Sequence, residues 1–375
     1  MRTLAVAMAV AVLAAGCGRS SGLQVANSGR TTPVTTATTA QPRVGRLDAV
    51  AFPTTTHGWA AGGGAIIATS DGGADWTRQY RGSAAIQSLD FIDARHGWAV
   101  ASHSLLRTTD GVDWSPVAEP KGLLLTSIDF TSADQGWGLA SPPGSVGAPV
   151  MIGTPASGTL VRTADGGASW SMVRPAVGDS LCVSDGALVA GAGPKVLEST
   201  DGGRSWKTLL EATDRQTQWF TATVQCPDLR SIWVLFQGGT AMGSQAYAAY
   251  TSSDGGVGWQ PVVVAQALAG AHRGFPGVTA LDAYSGPFAA TSASHAVFLG
   301  QCPACDPQRV TVLRTANGGA AWQRHLIAGF VPTGLAFAGA DHGWMTTRIG
   351  GIEATRSAIL ATTDGGRSWH PVYPS

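Results

Sequence analysis

One short pattern, S/T-x-D-G-G-x-x-W, recurs seven times in this chain of 375 residues. A repeat of this kind limits the fold severely, because each copy must form the same small unit and pack against its neighbours. Two copies deviate: Thr108–Trp114 is one residue shorter, and Asn317 replaces the aspartate in the sixth copy. Neither change is expected at a site that needs its carboxylate, so the pattern predicts a structural turn. The aspartate position is held by Asp71, Asp110, Asp165, Asp201, Asp254, Asn317 and Asp364.

A second element, F-x4-[H/Q]-G-W, precedes several of these copies. Around it lie short stretches of period two, bounded by Gly, Asp, Asn and Pro, which are typical of strands joined by tight turns. The unit therefore predicts four strands: A carries L-x-F, B starts at G-W, C ends just before the aspartate, and D begins at the last tryptophan. The element occurs at Phe52–Trp59, Phe91–Trp98, Phe130–Trp137 and Phe337–Trp344, and as a variant at Cys226–Trp233.

Seven such units within residues 47–375 give a period of about 47 residues, which is typical of propeller blades. One small sheet cannot bury both of its faces alone, whereas seven arranged radially close on themselves and leave few free edges. The predicted fold is all-β: a seven-bladed β-propeller of four-stranded antiparallel blades, with the D-G-G turns between strands C and D. In such a turn the aspartate accepts backbone hydrogen bonds, the glycines supply positive φ, and the tryptophan anchors the turn.

The repeated turn resembles the Asp box, or BNR repeat, of sialidases, sortilin-type receptors and tandem-propeller xyloglucanases. Together with F-x4-H-G-W, it most closely resembles the photosystem II stability/assembly factor propellers and their bacterial relatives, over nearly all of residues 47–375. The resemblance implies that the boxes are structural and lie at the blade periphery. It also implies help in assembling or stabilising an envelope complex by binding protein surfaces, although not photosystem II itself. Such a match supports a fold more strongly than a function.

The N-terminus resembles a bacterial lipoprotein signal peptide. Arg2 precedes an apolar run from Leu4 to Ala15, which is too short to span a bilayer core of about 30 Å but suits a signal-peptide core. The ending L-A-A-G-C resembles a lipobox, which implies cleavage after residue 16 and acylation of Cys17. Ordinary secretion is the alternative. We expect residues 1–16 to be the signal peptide and the mature chain to be anchored on the outer face of the cell membrane.

The segment after the lipidated cysteine has no hydrophobic periodicity and is rich in Thr, Ser, Ala and Gly. Residues 17–46 are therefore predicted to be a disordered tether, and residues 47–375 the propeller. The chain carries 24 basic and 24 acidic side chains, so no basic field points to nucleic acid. The only membrane contact that we predict is the lipid anchor.

A glycosidase is the sharpest enzymatic alternative, because most glycosidases place two carboxylates across a sugar. The best pair is Asp90 and Asp129, in S-L-D-F and S-I-D-F of adjacent innermost strands. The competing interpretation is that both are polar positions of half-buried strands near the channel. The F/Y-R-I-P element of sialidases is absent, since the corresponding region reads Q-P-R-V-G-R-L-D. The two aspartates are weak catalytic candidates only.

Three histidines occupy one repeat position in blades one, two and seven: His57, His96 and His342. Equivalent positions in a propeller are spread around a ring, and Gln135 replaces histidine in blade three. We therefore expect these histidines to form hydrogen bonds within their turns, and we assign no metal and no cofactor.

Four cysteines remain after the lipobox, and an even number in an exported protein suggests disulfides. Cys302 and Cys305, in C-P-A-C, resemble a thioredoxin-type motif. They lie between two apparent strands rather than at a helix N-terminus, which favours a local structural bridge. Cys182 and Cys226 fall in the A-strand regions of adjacent blades, and the sequence leaves open whether they are bridged.

Two enlarged regions offer a functional clue. Residues 142–158 lengthen blade three between strands B and C, and blade six is enlarged around residues 272–277 and the cysteine loop. Loops on one face usually carry function in propellers. We predict a non-enzymatic binding or assembly scaffold with a protein partner in the cell envelope. The alternative is a carbohydrate-active enzyme or a sugar-binding propeller, with a glycan as ligand.

Overall fold

The computed structural model describes residues 41–143, 158–213, 217–241, 243–265, 279–302, 304–305, 307–351 and 354–373. Within these ranges every regular element is a β-strand, and the strands form seven sheets of four. The predicted all-β, seven-bladed propeller is therefore confirmed. The same ranges contain no helix that is long and apolar enough to cross a membrane.

The 28 strands follow the chain blade by blade. Blades 1 and 2 contain β1–β8: Ala49–Ala51, Gly58–Gly62, Ala65–Thr69, Thr77–Arg81, Ile86–Phe91, Gly97–Ala101, Ser104–Thr108 and Ser115–Val117. Blades 3 and 4 contain β9–β16: Leu124–Phe130, Gly136–Ser141, Gly158–Thr163, Ser171–Gly178, Ser180–Ser184, Ala187–Ala192, Lys195–Ser199 and Lys207–Glu211. Blades 5 and 6 contain β17–β24: Trp219–Gln225, Ile232–Ala241, Ser244–Ser252, Gln260–Val264, Tyr284–Ala290, Ala296–Cys302, Arg309–Thr315 and Gln323–Ala328. Blade 7 contains β25–β28: Phe330–Ala338, His342–Ile349, Ser357–Thr362 and His370–Tyr373.

Each blade is made of four consecutive strands, paired antiparallel in the order A, B, C, D. The first blade and the last blade exchange no strand, because β1 pairs with β2 and β28 pairs with β27. The buried apolar residues form seven clusters, and each cluster lies between two neighbouring blades. The core is therefore a ring of inter-blade layers, and the ring is closed by side chains.

The repeated turns share one hydrogen-bonded geometry. In the first copy the Thr69 hydroxyl donates to Asp71 Oδ1 at 2.7 Å and accepts the Gly73 N–H at 2.9 Å. The same carboxylate oxygen accepts the Asp75 N–H at 3.0 Å, and Gly73 has a φ of 105°. All seven copies contain the bond from the Ser or Thr hydroxyl to the Asp or Asn side chain, at 2.7–3.0 Å. The Asn317 side-chain oxygen accepts the corresponding bonds in the sixth copy, so the turn forms there without a charge.

The two repeated elements meet across blade boundaries. Trp98 of blade 2 stacks on Phe130 of blade 3 with ring centroids 3.6 Å apart, and its indole N–H donates to the carbonyl of Gly166 in the next repeated turn at 3.0 Å. Trp170 of that turn packs edge-on against the same phenylalanine. We call this arrangement the aromatic clamp. The same arrangement joins blade 1 to blade 2 through Trp59, Phe91, Gly111 and Trp114. It joins blade 7 to blade 1 through Trp344, Phe52, Gly72 and Trp76.

Residues 41–46, which the sequence places in the tether, lie against the propeller. The Gln41 side chain donates to Ala74 O and accepts the Trp76 N–H, both at 3.0 Å. The Tyr373 hydroxyl donates to Pro42 O and accepts the Val44 N–H. This segment therefore contacts both the first and the last blade. Residues 1–40, with the predicted signal peptide and Cys17, lie outside the described residues.

Candidate functional site

Strand alternation sorts the connections of the propeller onto two faces. The A–B and C–D turns, including all repeated turns, lie at one end of the strands, and the B–C loops and D–A connections lie at the other. We call the latter the loop face. The longest connections, between β10 and β11 and between β20 and β21, both start and end there. Most of the two predicted insertions, at 144–157 and 266–278, falls outside the described residues.

A cavity of about 460 Å³ lies in the central channel. It is formed mainly by innermost strands β1, β5, β17, β21 and β25, so it lies on the side of blades 1, 2, 5, 6 and 7. Its lining is Ala49, Val50, Gln87, Ser88, Leu89, Thr223, Gln225, Leu235, Gln237, Gly286, Pro287, Phe288, Gln301, Pro332, Thr333, Gly334 and Leu335. None of these described residues carries a charge.

Irregular pairing of the innermost strands shapes this cavity. The β5–β6 register shifts around Gln87, the β21–β22 register around Gly286 and Pro287, and the β25–β26 register around Thr333. A bulge bends its strand and re-aims a side chain, and bulges are frequent beside binding sites. Sequence reasoning missed this feature, although a proline inside a strand, as at Pro287, is a recognised bulge signal.

The described lining of the cavity carries amide and hydroxyl groups that can exchange hydrogen bonds. Gln87 and Thr223 are exposed, whereas Gln225 is held by two bonds to blade 6. The amide of Gln237 donates to Ser285 Oγ at 2.9 Å. The hydroxyl of Ser88 is buried and has no partner among the described residues. Amides and hydroxyls of this kind both donate and accept, which suits an uncharged polar ligand.

Asp90 and Asp129 do not line the cavity. Asp90 Oδ2 accepts the Phe130 N–H of blade 3 at 2.8 Å, and Asp129 Oδ2 accepts the Val183 N–H of blade 4 at 2.8 Å. Burial raises the pKa of both carboxyls, and the negative charge of Asp129 raises that of Asp90 further. The two carboxyls therefore face the backbone of consecutive blades instead of lying on either side of a shared substrate space.

The same strand position also links the two blades that follow this pair to their neighbours. One residue of strand A pairs with the residue that follows the strand B glycine or its equivalent, which is a tryptophan in blades 2, 3 and 5 and Val189 in blade 4. In blades 2 to 5 this strand A residue is Asp90, Asp129, Cys182 and Gln225. Each of these residues contacts strand A of the next blade, at the residue that follows the equivalent position there. The contacted residues are Phe130, Val183, Cys226 and Ala290. We call these contacts the inner links. Blades 1, 6 and 7 carry alanine at this position, namely Ala51, Ala289 and Ala336.

One buried acid was not singled out from the sequence. Asp179 precedes β13, and its Oδ1 accepts the Ala222 N–H of blade 5 at 3.3 Å. Burial raises the pKa of Asp179 to about 7, and its Oδ2 has no partner among the described residues. No periodic signal marks it, because it stands just outside the repeat position of the inner links.

The three repeat-position histidines stay in separate turns. His57 Nδ1 lies 3.0 Å from the Thr56 hydroxyl, and His96 Nδ1 lies 2.9 Å from the Asp93 carboxylate in its own turn. His342 begins strand β26 in blade 7. Across the described residues, no cluster of three or more His, Cys, Asp or Glu side chains could hold a metal ion.

The cysteines pair in two different settings. A disulfide joins Cys182 to Cys226 between blades 4 and 5, with Cα atoms 5.8 Å apart. A second joins Cys302 to Cys305 in the B–C loop of blade 6, with Cα atoms 5.3 Å apart. The first is one of the inner links, and the second lies on the loop face.

No protein-family model and no curated protein matches this chain. Among solved structures it is similar to "YCF48 bound to D1 peptide", with 17% identity, a TM-score of 0.58 and coverage of 86% of this chain and 95% of that one. It is also similar to the GH74 enzyme of Niastella koreensis, with 11% identity, a TM-score of 0.56 and coverage of 88% and 67%. PorZ, a surface component of the Porphyromonas gingivalis type-IX secretion system, gives 10% identity and a TM-score of 0.53, with coverage of 89% of this chain and 39% of that one. These similarities show the β-propeller fold.

Proposed function

We propose that this propeller is a non-enzymatic scaffold that binds a protein segment at the channel opening on the loop face. The observation that carries the proposal is that the buried acidic groups bond to neighbouring blades, whereas uncharged polar groups face the cavity. The candidate acid pair, Asp90 and Asp129, is engaged in inner links, while the described residues that line the cavity are uncharged. Most glycosidases need two carboxyls directed at the sugar.

Two structural neighbours support a protein partner. One was solved as "YCF48 bound to D1 peptide", and PorZ is described as a bacterial surface component of a secretion system. Neither name transfers a specific partner to this chain. Together with the lipobox-like sequence at Cys17, they support a lipid-anchored scaffold on the outer face of the membrane that assists an envelope complex.

The experiment compares an arginine substitution in the channel with one in a repeated turn on the face opposite the loop face. Thr223→Arg places a long cation in the cavity, whereas Val257→Arg changes a side chain that is 84% exposed in the repeated turn of blade 5. Full-length variants are purified from native membranes after in-cell crosslinking, and the captured proteins are compared with those of the wild type. We expect Thr223→Arg to lose the partner and Val257→Arg to retain it. Retention by the first and loss by the second would place the binding surface on the other face.

A sugar ligand is the second candidate, because amides and hydroxyls line the cavity and a GH74 enzyme shares the fold. It is tested with a panel of neutral polysaccharides, measuring both binding and released reducing ends. Saturable binding without hydrolysis that Thr223→Arg abolishes would favour a sugar-binding propeller. Hydrolysis that Asp90→Asn abolishes without loss of folding would overturn the non-enzymatic proposal.

A further inference from the structure

The two disulfides differ in whether they lie in the apolar core of the propeller. Cys182 is 7% exposed and belongs, with Cys226 packed against it, to the apolar cluster between blades 4 and 5. Cys302 and Cys305 are half-buried and belong to none of the seven apolar clusters of the described chain. A disulfide outside the core is open to attack by a thiolate, since exchange rates depend on access.

The hairpin that carries the second disulfide is also held by backbone hydrogen bonds. Strands β22 and β23 are paired without a register shift from Ala296↔Thr315 to Cys302↔Arg309. The loop is also closed by a backbone bond from the Cys305 N–H to Cys302 O at 3.2 Å. Cys302 and Cys305 are separated by only 3 positions in the sequence, whereas Cys182 and Cys226 are separated by 44. Because closing a short loop removes little chain entropy, its opening costs the fold less.

The bridge also lies beside the candidate binding site. Cys302 directly follows Gln301, which lines the channel cavity. Opposite Cys302 in the ladder stands Arg309, whose guanidinium is bonded to Asp282 at 3.1 Å. A change of state at the bridge therefore acts next to the opening on the loop face, while the ladder keeps the blade intact.

We propose that Cys302–Cys305 is a reversible thiol–disulfide exchange site whose substrate is an external dithiol. One thiolate of the reductant attacks a sulfur of the bridge, the Cys302–Cys305 bond breaks, and a mixed disulfide forms with the released cysteine as thiolate. The second thiolate of the reductant then attacks the reductant's other sulfur, which is bound to the protein cysteine in the mixed disulfide, and that cysteine leaves as a thiolate. The reductant leaves as an internal disulfide, and Cys302 and Cys305 retain two electrons and take up two protons. The inner link at Cys182–Cys226 stays oxidised throughout.

The test follows both bridges in one folded sample. The mature-length protein is incubated with dithiothreitol under native conditions, quenched with an alkylating reagent at intervals, and analysed by peptide mass spectrometry. We expect Cys302 and Cys305 to be labelled at least about tenfold faster than Cys182 and Cys226, with unchanged circular dichroism. The step must also reverse when oxidised glutathione is added in excess. This inference does not rest on the proposed function.

A variant that lacks one cysteine of the bridge tests whether the mixed disulfide can form. In Cys305→Ser, the remaining Cys302 thiol should form a mixed disulfide with oxidised glutathione without loss of structure. Labelling of all four cysteines at one common rate, or of Cys302 and Cys305 only after the protein unfolds, would overturn the proposal. Failure of the Cys305→Ser variant to react with glutathione would do the same.

Discussion

The indole N–H of Trp344 donates to the carbonyl oxygen of Gly72 at 2.9 Å, joining residues 272 positions apart. The same indole stacks on Phe52 with ring centroids 3.5 Å apart. Since the first and last blades share no strand, this aromatic clamp is a main contact that closes the ring. It is aided by Thr333, whose hydroxyl donates to Leu47 O at 2.9 Å.

The first prediction tests that closure. Trp344→Phe keeps the stacked ring but removes the N–H donor and leaves the Gly72 carbonyl without it, so we expect a loss of about 1 kcal/mol in the free energy of unfolding. Trp344→Ala also removes the stacked area and should cost about 3–5 kcal/mol. Urea unfolding followed by tryptophan fluorescence measures both changes.

The matched control is Trp322→Phe. The indole nitrogen of Trp322 is buried and has no hydrogen-bond partner among the described residues. Removing an unpaired donor should therefore be neutral or slightly stabilising. Equal destabilisation by the two Trp→Phe changes would show that the hydrogen bond to Gly72 contributes nothing to closure.

The second prediction concerns pH and the inner links. The folded-state pKa is raised by burial to about 8 for Asp90 and to about 6 for Asp129, against about 4 for an unperturbed aspartate. A raised pKa means that the folded state binds the proton more tightly than the unfolded state. Stability from these groups is therefore fully present below about pH 4 and is lost as the pH rises through 6 and 8. Because one pKa unit corresponds to about 1.4 kcal/mol, the unfolding free energy should fall by roughly 5 kcal/mol between pH 5 and pH 8.

Asp90→Asn should flatten that pH dependence. The asparagine oxygen can still accept the Phe130 N–H, but no charge develops beside Asp129. The variant should be more stable than the wild type at pH 8 and similar to it at pH 5. Asp134→Asn, at an exposed carboxylate, serves as the control and should keep the wild-type slope. A slope that Asp90→Asn leaves unchanged would show that ionisation of this residue does not oppose folding.

The third prediction separates the acceptor from the charge in the repeated turn. Asp364 Oδ1 accepts the Thr362 hydroxyl at 2.8 Å and the Ser368 N–H at 3.0 Å. Asp364→Asn keeps this oxygen, as the natural Asn317 does, but removes the charge and the Oδ2 acceptor of the Ser368 hydroxyl, so it should lower the melting temperature by only roughly 1 °C. Asp364→Ala removes the acceptor and should lower it by roughly 2–4 °C. Similar losses for both variants would mean that the charge itself stabilises the turn.

Acid adds a further test of these turns. Hydrogen bonds from Ser169 and Thr163 lower the pKa of Asp165 to about 2. A lowered pKa contributes stability above about pH 4 that is lost as the pH falls towards 2. Replacing Asp165 by Asn should therefore reduce the acid sensitivity of the melting temperature between pH 4 and pH 2. If the melting temperature of Asp165→Asn falls between pH 4 and pH 2 as much as that of the wild type, other carboxylates cause the acid destabilisation.

The fourth prediction compares the two disulfides by stability. On a chain-entropy basis, loss of the inner link in the double variant Cys182→Ala/Cys226→Ala should cost about 4 kcal/mol, whereas Cys302→Ala/Cys305→Ala should cost about 2 kcal/mol or less. Calorimetry of the two variants under non-reducing conditions gives the comparison. A larger loss for the second pair would contradict the structural independence of its hairpin.

Several features of the fold follow from the sequence with little ambiguity. The seven repeated turns and their spacing determine the blade number and the strand order, because a short turn such as Thr362–Trp369 can join only two adjacent antiparallel strands. The replacement of aspartate by Asn317 also identifies the turn as structural. These are local properties, and the local sequence contains the residues that produce them.

The role of each innermost polar residue was decided only by the tertiary structure. Asp90, Cys182 and Gln225 look unrelated in the sequence, yet the propeller places them at one position, where each contacts the next blade. Their partners lie between 40 and 65 residues away, so no local pattern pairs them. The uncharged cavity likewise exists only after bulges in separate strands are brought around one axis. Turn geometry is local chemistry, whereas inner links and channel lining depend on ring closure.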